Sequence, residues 1–241
     1  MEKSENIQMN INEYVLRKTL PVIICVFNQY TYLKNLISKL NQNGFSNIYV
    51  LDQKSTYQPL INYLKDNNGK NFTVFYESMN YGPHNFFVER KYQVFSGLPF
   101  LYTDPDIDFN YLAPNFLTKF FELSNLYKVF KVGSALYIPK DSEIKPGISL
   151  FGNQGNKISV ENHERQFWVS EIQTGVYNSP IDTTLHVFFP EYYKEEQPLI
   201  TGLRVGLDGF VIKHLPWHKD DPMPEDELNF YLQEAKHNSW R

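Results

Sequence analysis

Two carboxylates stand two residues apart in Leu101-Tyr102-Thr103-Asp104-Pro105-Asp106-Ile107-Asp108. They follow a short apolar and aromatic run that reads as a buried strand. Side chains at i and i+2 share a strand face and Pro105 fixes the turn between them, so Asp104 and Asp106 are expected to converge on one point. Hard oxygen donors in that arrangement suit Mg²⁺ or Mn²⁺, ions that keep open positions for phosphate oxygens. Such an ion is a Lewis acid that stabilises charge building on a departing phosphate. The competing reading is a solvated acidic turn. His214, in Lys213-His214-Leu215-Pro216-Trp217-His218, follows a strand-like run near the end of the sequence. An imidazole there can complete a Mn²⁺ site begun far earlier, although a lone histidine is also read as an ordinary hydrogen-bonding residue.

These side chains need a scaffold, and residues 20–110 supply an alternation of strand-like runs with helical periods, the mark of βαβ units and a parallel sheet. The strands read as Val22 to Phe27, Ile48 to Leu51, Phe72 to Tyr76 and Phe100 to Tyr102. Leu33, Leu36, Ile37 and Leu40 form one apolar helix face that Gly44 terminates. A second helix carries Leu60, Ile61 and Leu64, and a third is predicted over Asn85 to Val94. The strands end in Asn28 and Gln29, in Asp52, in Glu77 through Gly82, and in Asp104 and Asp106. In a parallel sheet all of these fall on the carboxyl edge, where open α/β folds bind ligands at a switch in strand order.

The second half is less regular. It reads as a strand over Val129 to Ile138, a Gly- and Asn-rich loop through Lys157, and a helix over Glu164 to Val169. Strand-like runs follow at Gln173 to Tyr177, Thr184 to Phe189 and Leu203 to Lys213, the last turning at Asp208-Gly209. A closing helix spans Pro224 to Ala235, with Glu225, Asp226 and Glu227 at its positive end. No linker separates the halves, so the 241 residues are expected to form one domain with a donor half over about 20–110 and an acceptor half beyond it.

Several function classes fall away. A net charge of −4 without a basic block argues against nucleic acid as a partner. No glycine precedes Gly44, so the first strand-to-helix turn is neither a dinucleotide fingerprint nor a P-loop, and a diphosphate bound there needs a cation instead. Cys25 is the single cysteine and lies in an apolar run, which excludes an internal disulfide and fits a reducing compartment. Residues Met1 to Lys18 lack a signal-peptide core and no segment has the length of a membrane span, so a soluble, cytoplasmic protein is expected, peripheral at a membrane or in a virus-infected host cell at most.

The order Pro-Val-Ile-Ile-Cys-Val-Phe-Asn, Leu51-Asp52, Asn80-Tyr81-Gly82 and Thr103-Asp104-Pro105-Asp106 resembles the donor half of GT-A glycosyltransferases related to family 2. Val132-Gly133-Ser134-Ala135-Leu136, Glu164-Arg165-Gln166-Phe167-Trp168, Ile181-Asp182-Thr183-Thr184 and His214-Leu215-Pro216-Trp217 resemble a bacterial and viral branch of such enzymes. The resemblance implies an α/β GT-A fold: a Rossmann-like, mostly parallel central sheet flanked by helices, with a smaller mixed acceptor-side sheet. It implies a nucleotide-diphosphate sugar as donor, UDP-sugar favoured, and a glycan or lipid-linked acceptor. Asn28 and Asp52 would contact the base, Asp52 accepting from its ring N–H. Asn80 and Gly82 would line the ribose and sugar pocket, with Phe27 and Thr103 completing the donor set. Asp104 would touch the ribose or a metal-bound water, and Asp106 and His214 would bind Mn²⁺ or Mg²⁺ directly. Where many relatives have a glycine- or serine-rich turn after the second strand, this chain has Asp52-Gln53-Lys54-Ser55-Thr56, in which Ser55 and Thr56 are candidate helix caps.

Inversion at a sugar carbon needs a base for the acceptor hydroxyl. Asp182, between two strand-like runs, and Glu164, at a predicted helix start where the dipole would keep it ionised, are the candidates, with turn and capping roles as alternatives. Trp168 and Trp217 offer flat faces for sugar C–H groups, or else are core. The competing classes are a non-catalytic nucleotide-sugar or glycan-binding module and a metal-dependent phosphohydrolase.

Overall fold

A computed structural model describes residues 13–109, 111–151 and 156–235. Residues 1–12, scanned above for a targeting signal, and residues 152–155 of the Gly- and Asn-rich loop lie outside the described residues. Strand β1 (Val22–Val26) is buried along its whole length, as a run of β-branched residues and one cysteine in a two-sided sheet must be. Helix α1 (Tyr30–Gln42) lays its Leu33, Leu36, Ile37 and Leu40 stripe on the sheet and stops at Asn43 and Gly44, the latter at φ +87°. Strand β2 (Ile48–Asp52), helix α2 (Gln58–Asn67), strand β3 (Thr73–Tyr76) and strand β4 (Phe100–Thr103) complete the first half. They pair in parallel in the order β3-β2-β1-β4, so their carboxyl ends share one edge, as the sequence pattern implies. The chain runs outward from β1 to β3 and returns to β4 on the other side of β1, which places the switch in strand order between β1 and β4.

The third helix differs from the predicted Asn85–Val94. A single turn, α3 (Asn85–Val88), is followed by Arg90 in the left-handed region and a 3₁₀ stretch over Lys91–Phe95. Phe87 and Tyr92 both pack on Phe100 and Phe188. In an unbroken helix five residues turn the chain about 140° away from register, so one of the two rings would leave that cluster.

The rest of the chain supplies β5 (Ile107–Asp108), α4 (Phe116–Tyr127), β6 (Lys131–Ser134), the ribbon of β7 (Leu150–Phe151) and β8 (Lys157–Ile158), and α5 (Val160–Arg165). It continues with β9 (Glu171–Gln173), β10 (Val176–Asn178), β11 (His186–Phe188), β12 (Leu203–Val205), β13 (Lys213–His214) and α6 (Glu225–Glu234). The mixed strands do not form a smaller sheet of their own. They extend the central sheet in the order β4-β11-β6-β12-β10-β9, with β11 antiparallel to both neighbours. Gly133 permits this seam, because a Cβ there would meet that of His186 at 2.7 Å.

The run Leu203–Lys213, predicted as one strand, is divided between two sheets: Gly209, at φ +77°, turns the chain, and β13 pairs antiparallel with β5, His214 opposite Ile107. Helix α5 begins ahead of the predicted Glu164–Val169, because the Ser159 hydroxyl accepts from the Asn162 amide and caps it. Among the described residues no helix is long and apolar enough to cross a membrane.

Candidate active site

Asp104 and Asp106 lie in a bend between β4 and β5 rather than on a shared strand face. The bend arises because β4 belongs to the central sheet and β5 to the small β5–β13 pair, with Pro105 turning the chain from one to the other, and it sends the two carboxylates to different partners. Asp104 accepts a hydrogen bond from the Thr183 hydroxyl, and its amide donates to the Thr183 carbonyl at 3.2 Å. Burial drives the Asp104 carboxyl well above the ordinary carboxylate range; the charges of Asp106 and Asp182 push the same way and the Thr183 hydrogen bond opposes them. Asp106 is only 6 % exposed. Its carbonyl accepts from the Leu215 amide at 2.8 Å, and its Oδ2 lies 3.4 Å from His214 Nε2. The β5–β13 pairing thus brings the second aspartate of the motif to the distant histidine.

Asp106 Oδ1 and His214 Nδ1 are both buried without a hydrogen-bond partner. Leaving a buried polar atom unpaired costs about 1–3 kcal/mol, so two in adjacent side chains call for a missing partner. A carboxylate oxygen and an imidazole nitrogen are the donor types that Mn²⁺ or Mg²⁺ takes, and in that respect the pair fits a divalent cation. Among the described residues no group of three or more metal-binding side chains is gathered into a closed ligand set: Asp104 is turned to Thr183 while Asp106 and His214 face each other. Trp217 is 4 % exposed, with its ring 4.3 Å from the His214 ring. That packs it as a wall against the imidazole, which is the core alternative the sequence offered beside an acceptor platform.

The other three strand ends build the neighbouring edge. Asn28, at φ +55° and fully buried, accepts through Oδ1 from the amides of Thr56 at 2.7 Å and Tyr57 at 3.0 Å. Its carboxamide therefore ties β1 to the loop between β2 and α2; that helix has no side-chain cap at its N-cap residue Tyr57, so the capping expected of Ser55 and Thr56 is not what the structure shows. Ser55 instead accepts from the Asn28 amide and donates its own amide to Asp52 Oδ1 at 3.1 Å. Burial raises the Asp52 carboxyl and the Ser55 hydrogen bonds oppose the rise. Gln53, absent from the predicted set, accepts from the Tyr81 amide at 3.0 Å and so fastens the loop after β3 to the end of β2. In that loop Asn80 Oδ1 accepts from the Gly82 amide, and Gly82 takes φ +80°. Thr103 is fully buried and Phe27 half-buried on the same edge. At the start of α1, where a dinucleotide fold would seat a pyrophosphate, Glu227 from α6 accepts from the Thr31 amide and hydroxyl at 2.9 and 2.6 Å. A protein carboxylate at that place agrees with the exclusion of a glycine-rich cradle.

Asp182 stands above the acidic bend with 66 % of its side chain exposed, its Oδ1 2.7 Å from His84 Nε2. His84, two residues past Gly82, escaped the sequence reading because no spacing links it to Asp182. Desolvation raises the Asp182 carboxyl, but the His84 hydrogen bond and the charges of His84, Lys131 and Arg204 outweigh it and hold the group below its usual range.

Glu164 is not at a helix start. It is the penultimate residue of α5, buried, with Oε2 3.0 Å from Arg204 Nη1. A carboxylate so enclosed serves the fold. Removing one member of a buried pair strands the other, so Glu164→Ala is expected to cost about 3–5 kcal/mol in a denaturant titration. Trp168 packs on Tyr177 with centroids 5.3 Å apart and covers Gly206, and no described contact joins it to the acidic bend.

By sequence, no family model matches the chain and no curated protein matches it. By fold it is similar to GalNAc-T7, in a structure with UDP, GalNAc and Mn²⁺, at 14 % identity and a TM-score of 0.51, covering 89 % of this chain and 48 % of that one. It is also similar to the mannosyltransferase PcManGT from Pyrobaculum calidifontis in complex with GDP-Man and Mn²⁺, at 10 % identity and a TM-score of 0.51, covering 89 % and 67 %. The chain thus spans about half the length of the first of these and about two thirds of the second. The shared feature is architecture: the chain has the α/β GT-A fold of these glycosyltransferases, a large central sheet, parallel at one end and mixed at the other, flanked by helices.

Proposed function

We propose that the chain is a metal-dependent, inverting glycosyltransferase that moves a sugar from a nucleotide-diphosphate donor, UDP-sugar favoured, to a hydroxyl of a glycan or lipid-linked acceptor. The observation that carries this reading is the pair of buried, unpartnered atoms on Asp106 and His214 at the carboxyl edge of a GT-A sheet. The nucleotides and Mn²⁺ in the two structures of similar fold support it. Asp106 and His214 would hold Mn²⁺ or Mg²⁺. When bound, the ion neutralises charge on the diphosphate as the bond to the sugar breaks. Asp52, Phe27, Asn80, Gly82, Thr103 and Asp104 would border the donor, and Asn28 acts behind them by holding the α2 turn in place.

Asp182 is the base. The acceptor oxygen bonds to the anomeric carbon, the carbon–oxygen bond to the diphosphate breaks with its electron pair going to the phosphate oxygen, and the acceptor proton goes to the Asp182 carboxylate. A carboxyl held below its usual range is ionised at neutral pH, as a base must be. The single buried cysteine is consistent with work in the cytoplasm.

Incubating the protein with a panel of nucleotide sugars, candidate acceptors and Mn²⁺ tests the reading. The expected result is acceptor-dependent release of nucleoside diphosphate that stops on chelation. Release from no donor would leave a binding module, and release indifferent to every acceptor would leave a phosphohydrolase.

A further inference from the structure

Lys131 on β6 and Arg204 on β12 occupy neighbouring parallel strands, and both put a buried cation beneath the segment that carries Asp182. Arg204 Nε donates to the Pro180 carbonyl at 2.6 Å. Lys131 Nζ donates to the carbonyls of Ile181 at 3.1 Å and Asp182 at 3.3 Å. Three successive carbonyls are thereby held by two charges. The segment is fastened at its flanks as well, by Ser179 and Ile181 amides donating to Gly202 and Ile200, and by Thr183 bonded to Asp104.

The two cations are not equivalent. Arg204 has Glu164 as a counter-ion, with the Phe167 ring 4.0 Å from its guanidinium carbon. Lys131 is 1 % exposed, forms no ion pair among the described residues, and lies 5.4 Å from the Phe87 ring centroid. An ammonium taken out of water costs several kcal/mol, and a methionine would fill much the same space without that cost. Simple packing therefore does not account for a lysine at this place. What the ammonium touches does: the main chain of Asp182, an exposed carboxylate whose charge is felt at Asp104.

We propose that Lys131 is a positioning residue whose ammonium, with Arg204 beside it, fixes the Ile181–Asp182 main chain so that the Asp182 carboxylate meets the acceptor hydroxyl in line with the departing diphosphate. The proposal rests on the reading of Asp182 as the base. Burial pushes the Lys131 ammonium down to about 8, partly offset by Asp182. The titratable and charged groups around it are Asp182 on the loop, Arg204 on β12, His186 on β11, and His84 bonded to Asp182. Raising the pH through about 8 removes the charge and loosens the grip, so kcat falls on that side.

The test compares wild type, Lys131→Met and Lys131→Arg in two measurements. Amide hydrogen exchange without substrate is expected to speed up over residues 179–184 in Lys131→Met and to stay unchanged over 48–52 of β2. Steady-state kinetics are expected to show kcat down by about 10²-fold, the scale of an ångström-sized misplacement, with donor KM within about threefold because donor binding is untouched. Lys131→Arg keeps the charge at every working pH, so it is expected to restore much of kcat and to lack the fall above pH 8. Unchanged exchange over 179–184, or faster exchange with an unchanged kcat, overturns the proposal. So does a donor KM that rises in step with the loss of kcat, which would mean general damage to the site. A wild-type protein that transfers no sugar overturns the functional reading and the kinetic arm with it, while the exchange arm still decides whether Lys131 holds the loop.

Discussion

Asp106→Asn is expected to lower sugar transfer by about 10²–10³-fold or more, the scale on which one group that stabilises transition-state charge contributes. The replacement keeps the size of the side chain and removes the charge a hard cation needs. Because Asp106 Oδ1 has no protein partner, the loss is not expected to come from a broken hydrogen-bond network. Donor binding is expected to lose its dependence on Mn²⁺, measurable by calorimetry with UDP in the presence and absence of the ion. Binding that still responds to Mn²⁺ as in wild type would remove Asp106 from the ligand set. The fold should persist, since the Asp106 main chain, bonded to Leu215, is unaltered.

Asp182→Asn is the second large effect, with the opposite pattern. General-base catalysis contributes about 10²–10⁴-fold, so kcat is expected to fall by that order while donor KM and Mn²⁺ dependence stay as they are. The side chain is well exposed, and stability should barely change, in contrast to the enclosed Glu164. The sign of the pH dependence follows from the surroundings of Asp182. Partial desolvation by the surrounding protein raises its pKa, and His84, Lys131 and Arg204 together lower it further. Below its pKa the carboxyl is protonated and accepts no proton, so kcat falls on the acid side. His84→Ala deletes one of the lowering influences and is expected to move that acid limb toward higher pH. A limb that does not move, or moves toward lower pH, would separate His84 from the base.

The parallel half of the sheet was legible because each piece carries its own signal. β1 is a buried β-branched run, α1 shows an i, i+3, i+4 stripe, and residues that end parallel strands must share an edge. The acidic motif was legible for the same reason, being local. What joins the site together is not local: Asp106 meets His214 through a pairing of two-residue strands, and Asp182 meets His84 of the loop ahead of α3. Nothing in the spacing of those residues records such meetings.

The remaining differences are of two kinds, one local and the others not. The helix expected over Glu164–Val169 starts earlier, at the Ser159 cap, and Phe167 and Trp168 sit in a 3₁₀ turn beyond it. Asn28, placed on the nucleotide by resemblance, has its carboxamide oxygen engaged by the Thr56 and Tyr57 amides just ahead of α2. Lys131 lies within the strand expected over Val129–Ile138 and carries no motif, and only its burial against two carbonyls gives it a task.

The most direct measurement is a crystal structure with UDP and Mn²⁺ bound, the ion located by its anomalous scattering. The expected result is one manganese contacted by the side chains of Asp106 and His214, with the diphosphate completing its coordination. A diphosphate seated at the sheet edge with no ion beside it, or an ion bound away from both residues, would contradict the proposed chemistry.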